Sequence, residues 1–188
     1  MEIKRCDWCL SHENMIKYHD EEWGVAVHND QKHYEFILLD GFQAGLSWQT
    51  IINKRENFRN AFNHFDYYKI AKYDENDFER LINDAGIIRN RLKILAAITN
   101  ASAFINIIKE YGSFDSFIWQ FTNNKTIVNH WKSMKEIPVR TIESDKMSKT
   151  LLKRGFKFVG STICYAYMQA AGMVNDHLTT CFRYNELK

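Results

Sequence analysis

Two pairs of metal-ligand residues stand at opposite ends of this 188-residue chain, Cys6 with His19 near the start and His177 with Cys181 near the end. Two thiolates and two imidazoles are the donor set of a closed tetrahedral Zn²⁺ site. His177 and Cys181 are one helical turn apart, which puts both on one face. Cys6 and His19 converge only if folding brings them together. Cys6-Asp-Trp-Cys9 offers a second thiolate pair, so Cys6, Cys9, His177 and Cys181 also satisfy the spacing. Cys164 falls among Ile163, Tyr165 and Tyr167 and reads as core. A site with four protein ligands has no open position, so one metal ion there is structural and activates no water. It would clasp the first turns of the protein to the last, with binding on the order of ten kcal/mol that is largely folding free energy.

A second group is aromatic. Trp8, Tyr18, Trp23 and Trp48 cluster early in the chain, and among them runs Ile37-Leu-Leu-Asp40. An Asp behind three apolar residues is unusual, because carboxylates are seldom buried without a partner. Flat rings around one carboxylate suit a flat, positively charged base. The rings stack on it and supply cation–π attraction, and the carboxylate accepts a base N–H. The plain alternative is that Asp40 ends a helix and the tryptophans are core.

A third group is basic. The stretch Phe78–Ile94 predicts a helix, a tight turn at Gly86 and a second helix. Glycine lets the backbone turn sharply and approach a neighbour closely. The exposed N–H groups opening the second helix form an anion site, and Arg89, Arg91 and Lys93 add positive charge. This is the arrangement of a helix–hairpin–helix, which grips DNA by its phosphates and ignores sequence. A simple helix end with a solvated basic face is the other reading.

The elements that must position these groups are helical. Apolar residues at Ile88, Leu92, Leu95, Ile98, Ala101, Phe104, Ile108 and Tyr111 step by three and four, predicting a long amphipathic helix that stops at Gly112. Ser113 caps the next helix, Ser47 caps one from Trp48 to Phe62, and Ser144 caps one over 145–154. No stretch alternates with period two. The expectation is an all-α fold of about eight or nine helices, with 122–138 as a surface loop. The chain ends would form one zinc-stapled lobe and roughly 65–150 the helix–hairpin–helix lobe.

Composition is that of a globular protein, with 45% apolar and 26% charged residues. A net charge of +2 neither announces nor excludes a nucleic-acid binder, since the location of charge counts for more than its total. Four Cys without a secretory signal favour metal or core thiols over disulfides. No apolar run suggests a membrane span, and the first residues lack the apolar core of a signal peptide. The expected location is the cytoplasm of a bacterial-type cell, beside the nucleoid.

Five stretches then link these groups: Tyr18-His-Asp-Glu-Glu-Trp-Gly24, Gln43-Ala-Gly-Leu-Ser-Trp48, Asp84-Ala-Gly-Ile-Ile-Arg89, Lys153-Arg-Gly-Phe-Lys-Phe-Val-Gly160 and Val174-Asn-Asp-His177. In this order, over almost the whole chain, they resemble the 3-methyladenine DNA glycosylase I (Tag) family. The resemblance implies a divergent helix–hairpin–helix glycosylase fold with zinc joining the termini on Cys6, His19, His177 and Cys181. It implies monofunctional hydrolysis of the N-glycosidic bond of 3-methyladenine in alkylated double-stranded DNA. The catalytic residues would be Asp40, Tyr18 and Trp48, with Trp8, Trp23 and Met15 completing the base site. Gly45 and Leu46 would enter the duplex as an apolar wedge, and Gly86, Arg89, Lys153 and Lys157 would grip phosphates. Two departures bear on selectivity. The family has Glu where this chain has Asp40, one methylene shorter, and an aromatic residue where it has Met15. The competing readings are a glycosylase of altered alkylpurine range, a non-catalytic damage-binding module and a zinc-stapled interaction domain. A monomer without an obligate protein partner or a membrane is expected.

Overall fold

A computed structural model describes residues 3–188. Ten α-helices lie among the described residues, more than expected because three of them have only four or five residues and show no periodicity. They are α1 (Glu13–Glu21), α2 (Asp30–Gln43), α3 (Trp48–Ala61), α4 (Tyr67–Ile70), α5 (Glu75–Ile82), α6 (Arg91–Tyr111), α7 (Phe114–Ile118), α8 (Ile142–Lys153), α9 (Ser161–Ala170) and α10 (Phe182–Glu186).

The local signals for these helices are side-chain caps. Ser47 accepts from the Thr50 amide to open α3, and Ser113 accepts from Ser116 to open α7. Helix α6 closes on Gly112 at φ +84°. Helix α8 starts three residues earlier than the sequence reading has it. Thr141 is its cap and Ser144 sits in the first turn, its hydroxyl accepting from the Thr141 amide as the other half of a capping box.

Helix α6 is long and apolar enough, by length and composition, to cross a membrane, which the sequence reading did not expect. Half of that stretch is buried, and Ile94, Ala101, Phe104 and Ile107 are completely enclosed, so it is the central helix of the core. One hydrophobic cluster runs from Cys6 to Cys181 and takes in residues from most helices.

Helices α1, α2 and α3 are locked together by charge. Arg55 on α3 donates to Glu22 at 2.6 and 2.7 Å and to Glu35 at 2.8 Å. Lys32 reaches Glu22 at 2.8 Å and Glu35 at 3.2 Å.

The segment after α7 is not the loose loop expected. Ile127–Val128 (β1) pairs in parallel with Val174–Asn175 (β2). Trp131 then donates its indole N–H to Asp176 at 2.8 Å. Two-residue strands paired across nearly fifty positions carry no alternation for a sequence reading to find.

Candidate active site and metal cluster

Cys6, His19, His177 and Cys181 do converge. Their ligand atoms all lie within 4.8 Å of one another, and all four residues are buried. Cys181 Sγ is 3.5 Å from both His19 Nε2 and His177 Nδ1, and Cys6 Sγ is 3.9 Å from His177 Nδ1. The outward ring nitrogens are already engaged. His19 Nδ1 meets Asp20 Oδ1 at 2.8 Å, and His177 Nε2 meets the Trp23 carbonyl at 2.9 Å. Each outer nitrogen therefore holds the proton and each inner one offers a lone pair, the orientation that metal-ligating histidines take from their hydrogen-bond partners. Contact with the Cys6 thiol and the two imidazoles outweighs burial and lowers the Cys181 pKa, while the same contact and burial push Cys6 up. The donor set and its protonation thus fit a buried group that could hold a metal ion. Cys9 stands outside it, donating its thiol to the Cys6 carbonyl at 3.1 Å, with its pKa raised to about 11 by burial.

The aromatic group also converges, directly against this cluster. Trp23 packs edge-on to His177 with centroids 4.6 Å apart, and Trp8 packs on Trp23 at 5.0 Å and on His19 at 5.5 Å. Tyr18 lies 5.4 Å from Trp48 and 6.3 Å from Trp8. Together these four rings and Asp40 wall a cavity of about 190 Å³. Helix α1 supplies Tyr18, α2 supplies Asp40 and α3 supplies Trp48 from its first turn.

The cavity holds hydrogen-bonding groups that nothing among the described residues satisfies. Trp8 Nε1, Trp48 Nε1, Asp40 Oδ2 and Gln43 Oε1 are all buried without a partner, and all four residues line this one space. Orphaned buried polar atoms are rare and costly in native proteins, and here they cluster where a ligand would answer them. Asp40 is 1% exposed, and burial pushes its pKa well above the usual carboxylate range. Burial does the same to Tyr18, which keeps its hydroxyl proton as a donor.

Four lining residues escaped the sequence reading: Gln43, Met134, Ala166 and Gln169. Gln43 opens the stretch Gln43–Trp48 and ends α2 one turn after Asp40, a spacing that places both side chains on one face. Gln169 donates to Asp176 at 2.7 Å, a contact between α9 and the segment before His177. Met15, in contrast, does not line the cavity. It is buried one turn before Tyr18 in α1.

Of the expected DNA-facing residues, Gly45, Leu46, Arg89 and Lys157 sit at the surface around the start of α6, whereas Lys153 ends α8 next to Arg154, which bonds Glu110 and Tyr111 at the far end of α6. Gly45, at φ +77°, and Leu46 form an exposed turn between α2 and α3. Arg89, Lys153 and Lys157 are exposed, and none joins an ion pair among the described residues. Lys157 shares a surface groove with Leu92 and Leu95 of α6.

The hairpin differs from expectation in three ways. The second helix begins at Arg91, not directly after Gly86, because Asn90 caps it. The Gly86 amide is taken by Asp84 Oδ1 at 2.7 Å, so it is no free anion donor. Its contribution is shape, since a Cβ there would come within 2.9 Å of Asp84 and 3.2 Å of Asn57, whose side chain bonds the Gly86 carbonyl. Lys93, placed on the basic face by sequence, is 7% exposed and points inward.

Comparison with known proteins agrees with this architecture. The methyladenine glycosylase family matches residues 8–184. The chain is 49% identical over 182 residues, 97% of both chains, to DNA-3-methyladenine glycosylase 1 of Escherichia coli (strain K12). It is 45% identical over 177 residues, 94% of this chain and 96% of the other, to a DNA-3-methyladenine glycosylase of Haemophilus influenzae. A crystal structure of 3-methyladenine DNA glycosylase I superposes with a TM-score of 0.92 at 48% identity, covering 95% of this chain and 98% of the other. A Staphylococcus aureus 3-methyladenine DNA glycosylase I reaches the same TM-score at 29% identity, over 95% of each chain. An all-α chain with a buried aromatic cavity and this extent of likeness belongs to the methyladenine glycosylase family.

Proposed function

We propose that this protein is a DNA-3-methyladenine glycosylase acting in base excision repair. It hydrolyses the N-glycosidic bond of 3-methyladenine in alkylated double-stranded DNA. The observation that carries the reading is the cavity in which Asp40, Gln43, Trp8 and Trp48 hold unpaired polar atoms between aromatic walls. That carboxyl group has no cation partner among the described residues, and 3-methyladenine still attached to deoxyribose is a cationic purine.

The chemistry follows from that charge. The alkylated base leaves with the electron pair of its glycosidic bond and becomes neutral, and water adds to the sugar carbon while giving up a proton to solvent. Little acid catalysis is needed. The protein's task is to take the nucleotide out of the stack, recognise it and hold it for attack. Trp48 stacks on the base, Asp40 and Tyr18 bond its edge and stabilise positive charge, and Trp8 and Trp23 close the walls. No lysine lines the cavity to form a Schiff base, and the reading is a monofunctional enzyme without lyase activity.

Duplex DNA would lie across the start of α6. Leu46 on its exposed turn fills the vacated stack, Gly45 shapes that turn, and Arg89, Lys153 and Lys157 meet phosphates. The hairpin around Gly86 acts as the helix–hairpin–helix of a lobe spanning roughly 65–150. The metal held by Cys6, His19, His177 and Cys181 is a structural Zn²⁺ that staples the two termini into the other lobe. The enzyme works as a cytoplasmic monomer.

The test is release of free base from methylated duplex DNA, with the products identified by chromatography. The expected product is 3-methyladenine, and Trp48→Ala abolishes its release while the protein stays folded. Other alkylated purines in the product would instead establish an altered range. Tight binding of methylated DNA with no released base would make the chain a damage-binding module.

A further inference from the structure

Lys93 has no role in the reading above, and its surroundings are unusual. Its Nζ donates to the Phe42 carbonyl at 2.8 Å and to the Ala44 carbonyl at 2.5 Å. No carboxylate pairs with it among the described residues, and burial is the one influence on its pKa, which it lowers. A cation taken out of water needs a strong reason to be there. The Phe42 carbonyl lies in the last turn of α2, where the helix dipole presents its negative end, and the Ala44 carbonyl belongs to the residue just after it. Helix α2 stops at Gln43, and Ala44 leaves the helix at φ −46°, ψ 116°.

Those carbonyls are the base of one particular turn. Gly45 follows in the left-handed region, the Leu46 amide bonds the Gln43 carbonyl at 2.6 Å, and Ser47 caps α3. Leu46 stands at the tip, 41% exposed. Gln43 and Trp48 flank the turn and both line the base cavity. Lys93 itself sits in the first turn of α6, immediately after the hairpin. One ammonium thus joins the hairpin side of the molecule to the turn that carries Leu46.

We infer that Lys93 is a positioning residue for base excision, holding the Ala44–Ser47 turn in the shape that presents Leu46 to the duplex. The inference rests on the wedge reading of Leu46. With the turn held in advance, no binding energy is lost to ordering it when the lesion leaves the stack. Holding the turn matters when a stack must be opened and filled. It matters little for a free base that enters the cavity unaided.

The experiment compares two readouts in the full-length protein: single-turnover excision from methylated duplex DNA, and binding of free 3-methyladenine followed by tryptophan fluorescence. In Lys93→Met, which keeps the apolar stem and loses the cation, excision falls about tenfold, the scale of a partly buried charge on a helix C-terminus. Affinity for the free base changes by less than about twofold. Leu46→Ala shows the same split, and the double variant is no slower than the slower single one, because both act on one step. Equal losses in both readouts, or defects that multiply in the double variant, would make Lys93 a general stabilising contact and overturn the inference. A slow Leu46→Ala beside an unaffected Lys93→Met overturns it alone. Full activity in Leu46→Ala overturns the wedge reading and the inference with it. Lys93→Gln, which keeps a donor without the charge, gives an intermediate excision defect and replaces the Met variant if that one does not fold.

Discussion

Asp40 carries a conflict that the free protein does not resolve. It is 1% exposed, one of its oxygens has no hydrogen bond, and burial alone pushes its pKa upward. A carboxyl whose folded pKa lies above its unfolded value of about 3.9 favours the fold at low pH. That contribution is lost as pH rises from the unfolded value towards the folded one. Asp40→Asn has no proton to lose. The Asn variant should therefore gain on the wild type as pH rises through that window, by about 1.4 kcal/mol per pH unit. It should also bind 3-methyladenine more weakly, since an amide cannot balance a positive charge. Urea melts at several pH values, set beside binding of the free base, check both halves. Parallel stability curves for the two proteins would mean that the carboxyl is not held in this conflict. The trade is typical of sites built for a ligand, where stability is given up for recognition.

Between elements, the site depends on three helices meeting at fixed angles, and the Glu22–Arg55–Glu35 network is what fixes them. Burial raises the Glu22 pKa, but the hydrogen bonds and charges of Arg55 and Lys32 outweigh it and hold the group at about 2. A carboxylate depressed in this way contributes stability above its unfolded pKa of about 4.3 and loses it as pH falls towards the folded value. Arg55→Met should cost about 2–3 kcal/mol near neutrality, because it strips Glu22 of its bidentate partner and Glu35 of one of its three cations. The difference from wild type should shrink between about pH 4 and pH 2, where Glu22 takes up its proton in both proteins. Acid titration followed by circular dichroism measures this, and a gap independent of pH would place the lost stability in packing instead. What the sequence made legible has the same local character. The stop of α6 at Gly112 and the caps at Ser47 and Ser113 are written within a few residues of where they act, but the stripe expected along α6 is only half its inner face, since Leu92 and Leu95 are exposed while Ile94, Ala97 and Ile107 are buried. Asp40 was legible because a carboxylate amid leucines announces burial. Lys93 was misread because its partners are carbonyls some fifty positions away, which no residue type reveals. Met134, Gln169 and the β1–β2 pair were missed for the same reason, and Ser144 because a capping box puts two hydroxyl residues three apart.

At the scale of the molecule, the chain ends are the foundation of the base site. Trp23 touches the cavity on one side and His177 on the other, and the Trp23 carbonyl holds the His177 ring. Four buried ligand atoms within 4.8 Å form a closed set, so a metal there is remote from water and from the reacting bond. Its effect on catalysis must pass through Trp8 and Trp23. Removing it leaves two thiols and two imidazoles packed together without a charge to organise them, and the site is worth on the order of ten kcal/mol of folding free energy. Metal analysis should find one zinc per chain. Prolonged chelation should lower the melting temperature steeply and abolish 3-methyladenine binding in step with it, because the wall and the clasp are one packed unit. Cys181→Ser should reproduce both losses, whereas Cys9→Ala, whose thiol bonds only a backbone carbonyl, should keep the metal and the affinity. Base binding that survives complete metal removal at temperatures below the melt would separate the two sites, and the rings would then be held by the rest of the core.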